Sequence, residues 1–380
     1  MGLINPVKGM AVQLERILQE AVERGVSDVL LKDGNPPLFR FRGEFLPMED
    51  AEPLTPQELQ AALTRFLVDD AQRMRFLTER CADLAFGEPD LGRFRINAYR
   101  QRGKVAIAVR VIPATIPEFH DLNLPPIVER LASERRGMIL VTGPTGSGKT
   151  TTLAAMIGHI NRQSARHIIT IEDPIEYVHQ DERAVICQRE IGADVDSFTA
   201  ALRVALRQIP DVIMLGEMRD PETMETALQA AETGHLVLST LHTIDVPETI
   251  SRIVSSFPEY KRDQVRVVLA KVLKGVVCQR LVPTANGTGM VPAVEVMVGS
   301  ARVREYIEAN RIRDLHQVIE QGQAYGMQTF DQSFLSLLQD NLIAYEEALQ
   351  HCTSPADFER ATRGLGTANL GTLNTLDEQR

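Results

Sequence analysis

Apolar residues recur at two different spacings in the first hundred positions of the chain. Over 11–24 they follow the three- to four-residue spacing of a helix, which is expected to stop at Gly25. The run at 27–48, with a turn at 35–37, predicts short strands, and the run at 91–113 predicts two more because it combines alternation with β-branched residues; another helix is predicted over 56–80 between them. This order of elements predicts a domain in which helices cover an antiparallel sheet.

Later in the chain, short continuous apolar runs alternate with helical segments. The runs GMILVTG, HIITIED, DVIMLGE and HLVLSTL read as buried strands of a parallel sheet that is covered on both faces. The expected domains are an N-terminal α+β domain (1–112), a proline-rich linker (113–126), an α/β domain (127–300), a C-terminal helical region (301–355) and a disordered tail (356–380).

Composition argues against several classes of protein. The 380 residues carry a formal charge of −10, which argues against a surface built to bind nucleic acid. The four cysteines lie far apart and form no CxxC pair, so neither a disulfide framework nor a zinc site is expected, and a reducing cytoplasm is the natural compartment. No apolar run approaches the ~18 residues that span a bilayer, and charges interrupt the apolar residues at the N-terminus, so no signal peptide is expected.

The segment GPTGSGKT matches the phosphate-loop pattern G-x-x-x-x-G-K-[ST] and lies between a predicted strand and a predicted helix. Its glycines allow consecutive backbone N–H groups to surround phosphate oxygens at a helix N-terminus. Lys149 would reach the β- and γ-phosphates of ATP or GTP, and the Thr150 hydroxyl would bind Mg²⁺. The predicted phosphate-binding residues are Gly143, Pro144, Thr145, Gly146, Ser147, Gly148, Lys149 and Thr150.

Two carboxylates are candidates for the chemistry of hydrolysis. Glu217 follows the apolar run DVIML, and Glu172 ends the run HIITIE. Because ligands bind at the carboxyl ends of parallel strands, both side chains are expected near the phosphate loop. The alternative is that either one is only a solvated loop carboxylate.

Two histidines, His235 and His242, bracket the predicted strand LVLSTL. Seven residues of strand would separate them by about 23 Å and point them to opposite faces, so a shared metal site is not expected. His242 is the better candidate for the phosphate because it lies at the carboxyl end of the strand, although spacing alone favours a core histidine equally for each. Four arginines of GRFRINAYRQRG form either a solvated strand face or a group that reaches the γ-phosphate of a neighbouring subunit; these are Arg93, Arg95, Arg100 and Arg102.

Four segments in this order carry a resemblance to a known family. They are the Walker A loop GPTGSGKT, the Asp box ITIEDPIEYVHQ followed by QREIGAD, the Walker B segment DVIMLGEMRD and the His box AETGHLVLSTLHT. Together they resemble the secretion ATPase superfamily and, within it, the PilT/PilU retraction ATPases of type IV pili, over residues 11–355. The resemblance implies a RecA-like P-loop ATPase domain with a PAS-like N-terminal domain, ATP and Mg²⁺ as cofactors, and hydrolysis that powers pilus retraction.

The resemblance also implies roles for single residues. Glu172 matches the residue that polarises the attacking water, and Glu217 matches the Walker B glutamate that acts on Mg²⁺ and its water shell. His235 would hold the His box in place as part of the nucleotide-binding set, while His242 would approach the γ-phosphate. Phosphate-sensing arginines are implied in the N-terminal domain, and the candidates are Arg93, Arg95 and Arg100.

The same resemblance implies an assembly. Members of the family form six-subunit rings with nucleotide at the cleft between the two domains, and they act on the platform protein of the inner membrane from its cytoplasmic side. A paralogous pilus ATPase is a further expected partner. Neither nucleic acid nor direct insertion into the membrane is expected.

One segment departs from the PilT pattern. PilT-type motors carry a helix that reads roughly A-I-R-N-L-I-R-E, and RVREYIEA at 302–309 retains Arg304 and Ile307 but has Glu308 and Ala309 in place of the second arginine and the closing glutamate. The tail segments GMQTFDQ and IAYEEALQHCTSP resemble PilU, so an accessory role beside a principal motor is the main alternative. An extension or type II secretion ATPase is less favoured, because the chain has no four-cysteine subdomain and little length before the linker.

Overall fold

The computed structural model describes residues 6–41, 44–68, 70–88, 91–112, 115–287 and 289–363. They form two compact units. The first comprises the described part of Met1–Ile116 together with Asp173–Val178, and the second comprises Pro117–Glu172 and the described residues from His179 onward. The change of unit after Ile116 falls inside the predicted linker, and the short excursion at 173–178 was not predicted.

The N-terminal unit is an antiparallel sheet with helices packed on it. Its elements are α1 (Pro6–Glu23), β1 (Asp28–Lys32), β2 (Leu38–Phe41), β3 (Glu44–Pro47), α2 (Pro56–Phe66), α3 (Asp70–Glu79), β4 (Cys81–Glu88), β5 (Gly92–Gln101) and β6 (Lys104–Ile112). The strand order is β3-β2-β1-β6-β5-β4, and every pairing is antiparallel. Phe66 packs edge-on against Phe86 at 4.9 Å between ring centres inside this unit.

The prediction of one helix over 56–80 was wrong, because two helices occupy this range. Thr55 caps α2, since its hydroxyl accepts the N–H of Glu58 while the Glu58 carboxylate accepts the N–H of Thr55. At Leu67 the backbone leaves the helical region (φ −83°, ψ 82°), which ends α2 before α3 begins. The strand β4 that follows was not predicted from the sequence.

The second unit contains a seven-stranded sheet. Its first elements are α4 (Pro126–Ala132), β7 (Gly137–Thr142), α5 (Lys149–Gln163), β8 (His167–Glu172), β9 (Val185–Glu190), α6 (Phe198–Ala205), β10 (Val212–Leu215), α7 (Pro221–Glu232), β11 (Leu236–Leu241), α8 (Val246–Ser255), α9 (Glu259–Val272), β12 (Leu273–Pro283) and β13 (Met290–Val298). The strand order is β13-β12-β7-β11-β10-β8-β9. All neighbours pair in parallel except β12 and β13, which confirms the predicted parallel sheet.

The four predicted strands are confirmed as β7, β8, β10 and β11, and nearly all of their residues are buried. Three strands were missed. β9 reads VICQRE and lies at the edge of the sheet, where polar residues weaken the apolar signal. β12 follows α9 without an intervening loop, so no turn residues mark where it begins, and β13 pairs with it.

The helices after β13 pack on the same hydrophobic core as the sheet. They are α10 (Ala301–Glu308), α11 (Leu315–Glu320), α12 (Phe330–Gln339), α13 (Tyr345–His351) and α14 (Pro355–Arg363), with 3₁₀ turns at Ile312–Asp314 and Gln323–Tyr325. The prediction of disorder from 356 was wrong over 356–363, because α14 buries Phe358 in this core. Residues 364–380, the rest of the predicted tail, lie outside the described residues. Within the described ranges no helix is long and apolar enough to cross a membrane.

Candidate nucleotide-binding site

Four neighbouring parallel strands end at the same edge of the sheet, and each one delivers a predicted site residue there. β7 leads into the phosphate loop, and β11, β10 and β8 lead to His242, Glu217 and Glu172. The register aligns Leu241 with Thr142, and Leu215 with Ile171. Segments that are far apart in sequence therefore meet at the carboxyl edge, where such sheets bind ligands.

The phosphate loop depends on its glycines. Gly146 and Gly148 have φ values of +81° and +86°, a region that side-chain-bearing residues rarely adopt. At Gly143 (φ +143°) an added Cβ would lie 2.4 Å from the backbone oxygen of Gln279 and 2.5 Å from the Ser147 Oγ. The loop is thus packed tightly against β12 at Gly143, and its backbone leads directly into the N-terminus of α5.

Lys149 and Thr150 form the first turn of α5. Lys149 is buried, and its ammonium group donates to the carbonyl oxygens of Gly143 and Pro144, both at 2.9 Å. The side chain therefore lies along its own loop, which places a positive charge where a phosphate would be bound. The half-buried Thr150 offers a hydroxyl at the same helix end.

The Glu172 side chain is buried and held by hydrogen bonds. Its Oε1 atom accepts from the Thr170 hydroxyl at 2.6 Å and from the Gln188 amide at 3.0 Å. A buried carboxylate with two donors on one oxygen has a defined orientation. This fits a carboxylate that must be directed at a substrate water, and it does not fit a solvent-exposed loop carboxylate.

Glu217 follows β10 and is also largely buried. Its Oε1 atom pairs with Arg219 at 2.6 Å, while the His242 Nε2 atom lies 3.6 Å from Oε2. The Oε2 atom is buried and accepts no hydrogen bond from any residue that the structure describes. An acceptor of this kind suits a cation or its water shell.

The donor set fits Mg²⁺ only if the nucleotide supplies further oxygens. Thr150 and Glu217 offer the hard oxygen ligands that Mg²⁺ prefers. Among the described residues, no group of three His, Cys, Asp or Glu side chains could hold a metal by itself. Mg²⁺ bound at this edge would therefore be shared between the protein and the phosphates.

His235 lies at the other end of β11. Its backbone oxygen accepts the N–H of Gly137, the first residue of β7, at 3.0 Å, and its Nδ1 atom lies 2.9 Å from the Ala230 oxygen. The structure thus does not bring His235 to the phosphate loop of its own chain, unlike His242. Its contacts join the end of α7 to the amino ends of two strands, which is a structural role.

The three candidate arginines lie on β5 in the N-terminal unit. Arg95 pairs with both Asp83 carboxylate oxygens, at 3.2 and 2.9 Å, and this hydrogen-bonded partner raises the pKa of Arg95. Arg100 donates to the Gly103 oxygen at 3.1 Å and lies 5.8 Å from the centre of the Phe76 ring. Arg93 is half-buried on the same strand. Their action on phosphate stays a prediction.

Sequence reasoning missed three residues of this site. Thr170 and Gln188 hold Glu172, and Arg219 pairs with Glu217. The segment QREIGAD was noticed as a motif, but its place on β9 was not. The available signal was the spacing of two residues, which places Gln188 on the same face of its strand as the apolar Ile186.

A glycine-rich loop between a buried strand and a helix, with carboxylates at the ends of neighbouring parallel strands, defines a P-loop nucleotide-binding domain of the RecA-like type. The family described as "Type II/IV secretion system protein" matches residues 95–333. The chain belongs to this family.

Curated relatives are similar over most of the chain. The "Type IV pilus ATPase PilU" of Pseudomonas aeruginosa is 40% identical over 91% of this chain and 90% of its own length. The "Type IV pilus retractation ATPase PilT" of the same organism is 38% identical over 91% of this chain and 100% of its own. A "Twitching motility protein" of Neisseria gonorrhoeae is 44% identical over 82% of this chain and 83% of its own.

Solved structures agree with this assignment. The pilus retraction motor PilT, crystallised with bound ADP, is 43% identical and superimposes with a TM-score of 0.84 over 91% of this chain and 98% of its own. The Legionella pneumophila ATPase DotB is 29% identical, with a TM-score of 0.75 over 89% of this chain and 94% of its own. The RecA-like fold predicted from the sequence is confirmed.

Proposed function

We propose that this chain is a motor ATPase that hydrolyses ATP to power the retraction of type IV pili. The observation that carries the proposal is the convergence of Lys149, Glu172, Glu217 and His242 on one sheet edge. The similarity to proteins named as pilus retraction and twitching motility ATPases supplies the biological process.

Each residue at the edge has a distinct task in this proposal. The loop amides and Lys149 bind the β- and γ-phosphates, and Glu172 orients and polarises the attacking water. Thr150 and Glu217 hold Mg²⁺, which neutralises charge on the phosphate oxygens when bound, Glu217 partly through water. His242 responds to the γ-phosphate, because it lies beside Glu217 with about half of its side chain exposed.

The larger assembly is part of the same proposal. Six copies form a ring on the cytoplasmic side of the inner membrane and act on the pilus platform protein. Arg93, Arg95 and Arg100 sense the phosphate from the N-terminal unit. Hydrolysis is coupled to rigid-body movement of domains, which is a common way to turn a chemical step into work.

A second role, assisting a principal retraction motor, is favoured by two observations. Glu308 and Ala309, which replace the PilT-type residues, are exposed at the end of α10, where a partner would meet them. The similarity to PilU is also as extensive as the similarity to PilT. A paralogous pilus ATPase is then the partner.

The test is a count of surface pili in cells that lack the protein and in cells that carry Lys149→Ala. Excess pili that no longer shorten are expected in both strains if the protein retracts pili through ATP. Bald cells would contradict the proposed direction and indicate extension. Normal pili with weakened pulling would instead support the assisting role.

A further inference from the structure

Gln188 lies beside the catalytic carboxylate on the edge strand β9. The parallel register pairs Gln188 with Thr170 and Glu190 with Glu172. Side chains of paired residues share a face, as do residues two apart on one strand. Thr170, Glu172 and Gln188 therefore lie on one face of the sheet, and their hydrogen bonds follow from the register.

Two hydrogen bonds determine the orientation of the Gln188 amide. Its Oε1 atom accepts the backbone N–H of His179 at 2.8 Å, and its Nε2 atom donates to the Glu172 Oε1 atom at 3.0 Å. A backbone N–H can only donate, so the amide oxygen must face His179. The NH₂ group then has to face Glu172, and the reversed amide is excluded.

These two partners are also the two ends of a chain excursion. Glu172 is the last residue of the second unit before Asp173–Val178, which belongs to the N-terminal unit, and His179 is the first residue after it. Gln188 thus bonds to the points where the chain leaves the sheet and where it returns. We call the pair of hydrogen bonds His179–Gln188–Glu172 the amide clamp.

We propose that Gln188 is a positioning residue that aims the Glu172 carboxylate and links its orientation to the segment 173–178. A displacement of this segment moves the His179 N–H, and the rigid planar amide of Gln188 transmits the shift to the Glu172 oxygen. Such a residue affects turnover without touching the nucleotide. The inference rests on the proposed ATPase function, in which Glu172 orients the water.

Two substitutions separate the halves of the clamp. Gln188→Met is similar in size but forms neither hydrogen bond. Gln188→Glu can still accept from His179, but in its ionised form it faces Glu172 with an oxygen that cannot donate. The matched control is Gln180→Met, because the Gln180 side chain is exposed and, among the described residues, only the backbone oxygen of Gln180 is hydrogen-bonded, to Asn161.

Steady-state hydrolysis and ADP affinity give the first measurement. We expect both Gln188 variants to lower kcat roughly 10- to 100-fold, since misplacing a catalytic group by about 1 Å costs this much. ADP affinity should change by less than about twofold, because the phosphate loop is untouched. The proposal would be overturned if both Gln188 variants had the kcat of the Gln180→Met control, or if kcat and ADP affinity fell by the same factor.

A cycle with Glu172→Ala separates positioning from general damage. If Gln188 acts through Glu172, adding Gln188→Met to Glu172→Ala produces no further loss of kcat. Independent, multiplying losses would show that Gln188 acts elsewhere.

Hydrogen exchange at the His179 amide tests the clamp without turnover. Exchange should be faster in Gln188→Met but stay at the native rate in Gln188→Glu, and equal rates in all variants would refute the clamp. A native chain that forms rings but hydrolyses no ATP would refute the proposed function. The hydrogen-exchange result would still test the amide clamp, because it does not depend on turnover.

Discussion

Glu295 is a buried carboxylate outside the nucleotide site, and its ionisation should limit stability at neutral pH. It lies on β13 with 2% of its surface exposed, and its Oε1 atom accepts the N–H of Val246, the first residue of α8, at 2.8 Å. Burial raises the pKa of Glu295 to about 7. The Val246 N–H and Arg280 oppose this rise, while Asp245 and Asp331 add to it.

The magnitude follows from the difference between the folded and unfolded chains. In the unfolded chain the Glu295 pKa is 4.5, against about 7 in the folded chain. Between these values the folded chain binds more protons, so the free energy of unfolding falls as the pH rises. The full loss is about 3 kcal/mol, and most of it falls between pH 5 and pH 8.

Glu295→Gln keeps an oxygen acceptor for the Val246 N–H and removes the titration. Urea unfolding followed by circular dichroism, at pH 5 and pH 8, gives the free energy of unfolding of each protein. We expect the variant to gain about 2–3 kcal/mol on the native protein between these pH values, because only the native chain loses stability at this position. The exposed Glu305→Gln is the control and should show no such gain. Native and Glu295→Gln values that change in parallel with pH would refute the reasoning.

Three further predictions concern the sheet edge. Gly143→Ala should weaken ATP binding, measured by calorimetry, at least tenfold, because its Cβ would lie 2.4 Å from a backbone oxygen of β12. In Gly146→Ala the new Cβ meets nothing within 4 Å, so this variant should cost only about 1–2 kcal/mol of backbone strain. Equal losses of ATP affinity in the two variants would contradict the tight packing at Gly143. Glu217→Ala should lower kcat by about 10² or more with ATP still bound, and an unchanged rate would exclude its metal role. His242→Ala should reduce turnover, whereas His235→Ala should mainly lower the free energy of unfolding, by about 1 kcal/mol. A larger loss of turnover in His235→Ala than in His242→Ala would reverse these assignments.

The sheet and its functional edge were predictable because their signals are local. The phosphate loop identifies itself by glycines at fixed spacing, and fully buried parallel strands read as continuous apolar runs. Once β7, β8, β10 and β11 are recognised as parallel, the rule that ligands bind at carboxyl strand ends places Glu172, Glu217 and His242 near the phosphate loop, while their separate roles come from the resemblance to the family. His235 precedes β11 and lies at the amino end of that strand, so the same rule places it farther from the phosphate loop than His242.

The remaining features depend on pairing partners that a local pattern does not contain. β9 is half polar because it is an edge strand, and its assignment requires knowing that β8 lies beside it. Gln188 is then recognised only through its register with Thr170. The burial of Phe358 by α14 is likewise a tertiary contact, and the polar sequence around it predicted disorder instead.

The two groups of residues at the sheet edge are anchored differently, and this difference separates binding from turnover. The phosphate loop is fixed by its packing against β12 and by its continuity with the buried strand β7, so its geometry depends on the core of its own unit. The Glu172 carboxylate is held by Thr170 and by Gln188, and Gln188 also accepts the N–H of His179, the residue that follows the excursion at 173–178. A change in that excursion can therefore alter the aim of Glu172 while the nucleotide stays bound. A motor needs this separation, because it must hold ATP until movement permits hydrolysis.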